Sequence, residues 1–399
     1  MNLLYLFRHT VLSATALVLV ITAGIGIAQE PAAPAANLLD GCVTDYDPEV
    51  DYFPEQITIT DAENFTIEYF NNYKVVTITD AFDDAPSFTY VLVQCGTPAP
   101  DTADFPEDTQ FIDVPAEDII TMSTTQLPHL IDLDLLDRLV GLDTGLFVSA
   151  PEVRALIEAG ELVEIGSGAE VNVELALVTE PDLIMTYGFD PTTDAFPVLV
   201  DAGIFTALNA EWREVTPLAR AEWIKYTGVF FNAEARAEAA YANIASEYNA
   251  ARELAASVTD AERQVVLWNA FSTFSDAWFI PGAETYVGAL LDDAGAIIAL
   301  GEEAPGDSAP LSFEVVYDRA LDADVWMVNL FAVNTLEDLL AQDSRYGDFA
   351  AVEAGNVWNN SRRVNANGGN DYFELGVTNP HLILQDLVHM LYPDLLPDH

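Results

Sequence analysis

Basic residues are scarce in this chain. Of its 399 residues, 14 are lysine or arginine and 65 are aspartate or glutamate, giving a formal net charge of −51 at neutral pH. Phosphate backbones need cationic partners, so such a polyanion does not bind nucleic acid through its own surface. Anionic lipid heads repel it as well. The excess acid reads as a solvated shell that keeps an extracellular protein soluble. A calcium array is disfavoured, because no D-x-[DN]-x-[DN]-G loop occurs and the Asp-Leu-Asp-Leu-Leu-Asp run at 132–137 lacks its glycine. The five histidines, at 9, 129, 381, 389 and 399, show no ligand spacing. That argues against a site for a bare zinc or manganese ion and against an H-E-x-x-H hydrolase. No G-x-x-x-x-G-K-[ST] loop is present, so the chain is not an ATPase. Gly166-Ser167-Gly168 lacks the rest of a nucleophile elbow. These absences turn the reading from catalysis towards binding.

Cysteine is nearly absent too. Cys42 and Cys95 are an even pair, which in an exported chain suggests a disulfide. It would close a loop of about 50 residues and contribute about 3–4 kcal/mol in the chain-entropy model. Two buried free thiols are the alternative. Export is read from residues 1–28: Arg8 supplies a positive start, 11–27 is apolar, and Gly26 and Ala28 are small residues ahead of Gln29. That run also approaches the length of a short membrane span, so an uncleaved anchor is the competing reading. No later run is long enough to span. Leu39-Asp40-Gly41-Cys42 has the look of an acylation site, but it lies too far from the apolar run and carries Asp where a small residue is needed.

The rest of the chain divides by pattern. Residues 29–38 are Pro/Ala-rich and read as a flexible linker. Residues 39–110 form a small β-rich extension, with strands expected at 56–60, 65–69, 74–78 and 88–93 and turns at Asn71-Asn72 and 83–86. From 111 to 231 the pattern alternates between helix and strand, with helices at 132–140, 151–159 and 172–179 and a strand at 182–186. Such alternation implies mostly parallel sheets. Residues 232–258 are rich in Ala, Glu and Arg without Pro or Gly, and Tyr241, Ile244 and Tyr248 fall at helical spacing. This predicts one long connecting helix within 232–260, roughly 25 residues and near 40 Å long. Alternation resumes over 261–399, with strands at 264–269 and 324–328 and helices at 286–294, 313–320, 334–341 and 380–391. The fold class expected is α/β: two lobes joined by a single backbone helix, plus the β-rich extension.

One short pattern occurs twice. Glu174 sits in the first turn of a helix that stops before Pro181-Asp182-Leu183-Ile184. Glu314 sits likewise, ahead of Asp324-Val325-Trp326-Met327. A glutamate there is favoured by the helix dipole alone. The pairing, on opposite sides of the long helix, adds to that. With Trp278-Phe279-Ile280-Pro281-Gly282 running into Ala289-Leu290-Leu291-Asp292-Asp293-Ala294-Gly295, the chain resembles the class III solute-binding proteins of ABC importers for iron–siderophore, haem and cobalamin ligands. The resemblance covers about 111–395 and leaves 39–110 outside.

The resemblance implies a monomeric, exported, non-enzymatic carrier that holds its ligand between two lobes. It implies docking to permease subunits through Glu174 and Glu314, with no cofactor beyond the transported metal chelate. It also implies ligand contacts from Thr124 and Thr125, from Tyr187, from the stretch holding Trp268, Phe271, Phe274 and Trp278, and from the one holding Trp358, Arg362, Arg363, Asp371 and Tyr372. Aromatic density suits a large, partly apolar ligand. Two adjacent arginines stand out where cations are few, and guanidinium pairs with carboxylate or catecholate oxygens. Haem or cobalamin in place of a siderophore, and a receptor or adhesion module that reuses the fold without transport, are the alternatives. The Asn365–Asn370 run reads as a polar turn at the edge of the pocket.

Overall fold

The computed structural model describes residues 34–399 apart from 191 and 332. The signal segment and residues 29–33 of the expected linker lie outside the described residues. By Asn37 the linker has ended: its side chain is buried and bonded to Glu55 and Glu234.

Four strands form the extension: β1 Phe65–Tyr69, β2 Tyr73–Ile78, β3 Phe88–Gln94 and β4 Gln110–Val114. Their β-branched and aromatic residues suit a half-buried sheet. The first three pair antiparallel and β4 joins β3 in parallel, giving the order β1-β2-β3-β4. Cys42 and Cys95 form the disulfide, with Cα atoms 4.6 Å apart. The Cys42 thiol is therefore committed and unavailable for acylation.

The first lobe follows as β5 Ile119–Thr121, α1 Leu127–Asp132, β6 Leu139–Leu142, α2 Pro151–Ala159, β7 Val163–Glu164, α3 Val173–Thr179, β8 Leu183–Tyr187, α4 Phe196–Asp201 and β9 Thr206–Asn209. Its five strands are parallel in the order β7-β6-β5-β8-β9. Two helices then form the backbone of the molecule, α5 Pro217–Val229 and α6 Glu234–Ala255. The second lobe comprises β10 Val265–Trp268, β11 Trp278–Ile280, α7 Tyr286–Asp293, β12 Ile297–Ile298, β13 Ala309–Leu311, α8 Phe313–Arg319, β14 Val325–Met327, α9 Leu336–Gln342, α10 Ala350–Ala354 and β15 Val357–Trp358. Its main sheet is parallel in the order β12-β10-β14-β15. The chain closes with α11 Asp371–Thr378 and α12 Pro380–Leu391, and α12 lies along α6.

Two expected elements are absent. Residues 132–140 are no α-helix: α1 stops at Asp132, Asp134 turns into the left-handed region at φ 55°, a single 3-10 turn spans Leu136–Arg138, and β6 begins at Leu139. Residues 56–60 are no strand, because side chains take the amides there: the Tyr69 hydroxyl accepts from Ile57 at 3.1 Å, and carboxylates take Thr58, Thr60 and the four amides that follow. Glu238 accepts from the Thr58 amide, Glu222 from those of Thr60, Asp61 and Ala62, and Glu214 from those of Glu63 and Asn64. Helices α1, α10 and α11 are not among those expected, and neither is the longest unexpected one, α5. Twelve of its thirteen residues are buried, so no polar face marks its period.

The extension is not a separate body. Phe53, Phe65, Val76 and Tyr90 share one apolar core with Leu127, Leu183, Trp223 and Tyr226. β4 also carries the extension's sheet past residue 110. The Gln110 side-chain amide bonds both the N–H and C=O of Thr206 at 3.0 and 2.9 Å, and the Leu208 amide donates to the Tyr90 hydroxyl at 3.0 Å. The open edge of β9 is thereby covered.

The chain has two lysines, and both are buried at this junction. Lys74 Nζ reaches Glu234 at 2.7 Å, Asn232 at 2.8 Å and the Val229 carbonyl at 2.5 Å. Burial pushes its pKa down, and Glu234 opposes that shift. Lys225 pairs with Glu222 at 2.9 Å and donates to the Thr58 carbonyl at 2.6 Å. Asn232, between α5 and α6, holds φ 53° and donates to Leu38 O and Gln94 Oε1. Gly228 lets the two helices meet: a Cβ there would stand 2.9 Å from the Cβ of Ala237.

Removing one partner of such a pair leaves a buried charge unpaired. Lys74→Met should lower the unfolding free energy in urea by about 3–5 kcal/mol, and Lys74→Met with Glu234→Met should recover part of that loss. A near-wild-type Lys74→Met would refute the pair's role. His129 supplies a second check. It is buried in α1, its Nδ1 lies 2.7 Å from the Thr227 hydroxyl on α5, and burial pushes its pKa down to about 3. An unfolded histidine binds its proton near 6.5. The stability that neutral His129 contributes is therefore fully present above pH 6.5 and is lost as pH falls towards 3. His129→Gln should lose less melting temperature than wild type between pH 7 and pH 4.5, and equal losses would contradict this.

Candidate functional site

Ligands of open parallel sheets bind outside the carboxyl ends of the strands, where the strand order reverses. Here the reversals fall between β5 and β8 in the first lobe and between β10 and β14 in the second. The loops at these points are 122–126, 188–195, 269–277 and 328–335.

Several expected residues stand there. Thr124 and Thr125 form a half-buried turn capped by Ser123, whose hydroxyl accepts from the Thr125 amide at 3.3 Å. Tyr187 ends β8 half-buried, and its pKa is raised by burial and by Asp143 and Asp194. Burial pushes Asp143, just past β6, up to about 6. Phe274 is wholly exposed, whereas Phe271 is half-buried with its ring centroid 5.7 Å from that of Phe313.

Two expected ligand residues are core instead. Trp278 is fully buried, stacks on Trp326 at 5.6 Å and donates its indole N–H to the Trp268 carbonyl at 2.8 Å. Trp268 packs with Leu290, Leu387 and Tyr248. Trp268 ends β10 of the helix-covered parallel sheet, and Trp278 lies in β11, which pairs antiparallel with β13 and packs its side chain into the second lobe's aromatic core.

Trp358 ends β15 and is exposed. It lines a recess of about 440 Å³ with Val328, Val333, Leu336 and Arg362. Arg362 is exposed and makes no ion pair among the described residues. Arg363 is committed to Asp371 at 2.8 Å. Asp371 is buried, so it anchors that arginine at the start of α11. Tyr372 is half-buried beside Tyr286 and Arg220, and its pKa is raised by burial. Tyr286 is itself under Arg220, whose guanidinium carbon stands 4.5 Å from the ring centroid. Among the described residues no group of three or more His, Cys, Asp or Glu side chains converges as a metal site.

Sequence reading missed four exposed aromatics: Phe189 after β8 and Phe331 after β14 at the reversals, Phe147 after the neighbouring β6, and Phe373 on α11. The available signal was an aromatic set in a polar, turn-forming stretch, as in Gly188-Phe189-Asp190. Phe331 and Phe373 lie with ring centroids 6.4 Å apart.

Glu174 and Glu314 are exposed in the first turns of α3 and α8. Asn172 caps α3 by accepting from the Leu175 amide at 3.0 Å, and Ser312 caps α8 by accepting from Val315 at 3.3 Å. The two sites are built alike on separate lobes. They differ in one neighbour: Arg345 lies over the ring of Phe313, beside Glu314, with 3.7 Å from its guanidinium carbon to the ring centroid.

Comparison with known proteins agrees with this architecture. An uncharacterised lipoprotein of Methanocaldococcus jannaschii is 24% identical over 328 residues, covering 78% of this chain and 74% of its own length. A possible iron-binding, periplasmic solute-binding protein of Staphylococcus epidermidis superposes with a TM-score of 0.54 at 14% identity, covering 70% of this chain and 99% of its own. A periplasmic heme-binding protein of Pseudomonas aeruginosa gives 0.52 at 19% identity, covering 70% and 93%. The profile of the periplasmic binding protein family matches residues 119–359, more than half the chain and both lobes. With two parallel α/β lobes on one helical backbone and that match, this chain belongs to the periplasmic binding protein family.

Proposed function

We propose that the protein is the exported solute-binding component of an ABC-type importer and that it captures an organic metal chelate, an iron(III)–siderophore complex or a similar ligand, between its lobes. The observation that carries this reading is the lining of the strand-end loops. Phe189 in the first lobe and Phe274, Phe331 and Trp358 in the second expose large aromatic surfaces, with Arg362 beside Trp358 and free of any ion pair among the described residues. What supports a binding role is their place, at the carboxyl ends of parallel strands where ligands of such sheets bind. The organic shell of a chelate would bury the rings, and its carboxylate or catecholate oxygens would pair with the guanidinium. A heme-binding protein and a possible iron-binding protein among the structural neighbours support the ligand class. Delivery would use Glu174 and Glu314, one exposed carboxylate per lobe, against cations of the permease. No helix among the described residues is long and apolar enough to cross a membrane.

Tryptophan fluorescence of the protein, titrated with ferric siderophores, hemin, cobalamin and free metal ions, tests the ligand class. One chelate should quench saturably at sub-micromolar concentration. Trp358→Phe should remove part of the signal and leave the share of half-buried Trp212, whose ring centroid stands 5.5 Å from that of Phe189, since Trp268 and Trp278 are core. Arg362→Ala should weaken binding about tenfold or more, the effect of one charge-assisted hydrogen bond. Silence across the panel would overturn the chelate reading. For delivery, Glu174→Arg combined with Glu314→Arg should abolish import while affinity stays unchanged. A collapse of affinity would show that these glutamates serve the cleft instead.

A further inference from the structure

Beyond β15 the chain crosses from the second lobe to the first, where α11 seats on α1, on α5 and on the turn at 124–126. On the way, its polar groups converge on one loop, residues 145–150 between β6 and α2. Asn365 Nδ2 donates to the carbonyls of Leu146 and Val148, each at 3.0 Å, and Asn367 Nδ2 donates to Leu146 O at 3.2 Å. Glu374 is buried, and its two carboxylate oxygens accept from the amides of Ser149 and Ala150, each at 2.7 Å. Gly369 passes so close to the Phe147 carbonyl that a Cβ would stand 2.0 Å from its oxygen. The backbone is thus held by hydrogen bonds on both sides of Phe147, at 146, 148, 149 and 150.

What this hold leaves outside is informative. Val148 is buried, but the side chains of Leu146 and Phe147 remain 53% and 50% exposed. A free loop with that sequence would fold its apolar side chains inward. Here hydrogen bonds fix the main chain and keep the apolar pair turned to solvent at the carboxyl end of β6. Phe373, next to Glu374 on the clamping helix, is exposed as well and meets Phe331 of the second lobe.

We infer that Asn365 and Glu374 are positioning residues for ligand capture: they hold Leu146 and Phe147 as a preformed apolar lip of the cleft, and the lip, not the asparagine turn, meets the ligand's organic shell. This rests on the chelate reading above. Fixing the loop beforehand removes an ordering cost that binding would otherwise carry. The clamp needs Gly369 and a short amide at 365, which accounts for the composition of the Asn-Ala-Asn-Gly-Gly-Asn run.

A double-mutant cycle separates positioning from general support. With the siderophore, hemin or cobalamin probe that quenches the wild type, Phe147→Ala and Asn365→Ala with Glu374→Gln should each weaken binding about tenfold, whereas Phe147→Ala added to the clamp variant should cost less than about twofold more. Full additivity would overturn the inference, because a merely structural clamp would leave the lip's contribution intact. Hydrogen exchange reads the clamp without any ligand. The Ser149 and Ala150 amides should be protected in the wild type and exchange fast in Glu374→Gln, and absence of protection in the wild type would overturn the clamp directly. Protected amides with no binding of any probe would instead overturn the chelate reading, and with it the role given to the lip.

Discussion

Carboxylates of the helical backbone capture the main chain of residues 58–64, and the rest of the structure depends on that capture. Glu214, Glu222 and Glu238 accept six amides from this one segment, while Lys225 bridges Glu222 to the Thr58 carbonyl. A buried carboxylate is tolerated when several donors converge on it. The acceptors come from α5, from α6 and from the stretch ahead of α5, so the extension cannot leave without exposing the backbone of the fold. Lys74 closes the same junction from the opposite direction by entering the α5–α6 corner. The extension therefore stiffens the axis from which both lobes hang, and it covers the edge of β9 as well.

A stiff axis suits a carrier whose cleft is built in advance. Both sheets present carboxyl ends at their order reversals, where Phe189, Phe274 and Phe331 stand exposed. The net charge makes their surroundings unusual. Around a polyanion, anionic ligands are repelled at long range, and salt screens that repulsion beyond about 10 Å. On the reading proposed above, capture falls to short-range contacts: apolar rings, and the rare cation that no carboxylate has neutralised. Arginines 138, 154, 213, 263, 319 and 363 are each engaged by acidic neighbours.

Much of the architecture was legible in the sequence because it follows from period and punctuation. Pro151 opening α2 and Gly160 closing it at φ 72°, the Asn172 and Ser312 caps, and the uninterrupted run of α6 are local signals, and each element falls where they place it. What was not legible depends on distant partners. Nothing within 56–60 announces that glutamates more than 150 positions away will take its amides. Helix α5 is buried all round and shows no period. The site divides along the same line. Phe274, Trp358 and Arg362 stand exposed, but Trp268 and Trp278 rest on the family resemblance and on aromatic density, neither of which distinguishes a strand interior from a loop. Phe147 and Phe331 escaped because an exposed aromatic looks like core until the fold shows which way its loop is held.

Because Lys74 and Lys225 are both interior, the folded described chain offers solvent no lysine amine. Its cationic exterior is guanidinium only. Chemistry that proceeds through lysine amines, such as acylation, condensation with reducing sugars or aldehyde cross-linking, has no lysine to attack on the native molecule. A lysine-directed protease likewise finds its two cleavage points only once the junction between extension and backbone has opened. Proteolysis at those points would therefore report the loosening of that one interface.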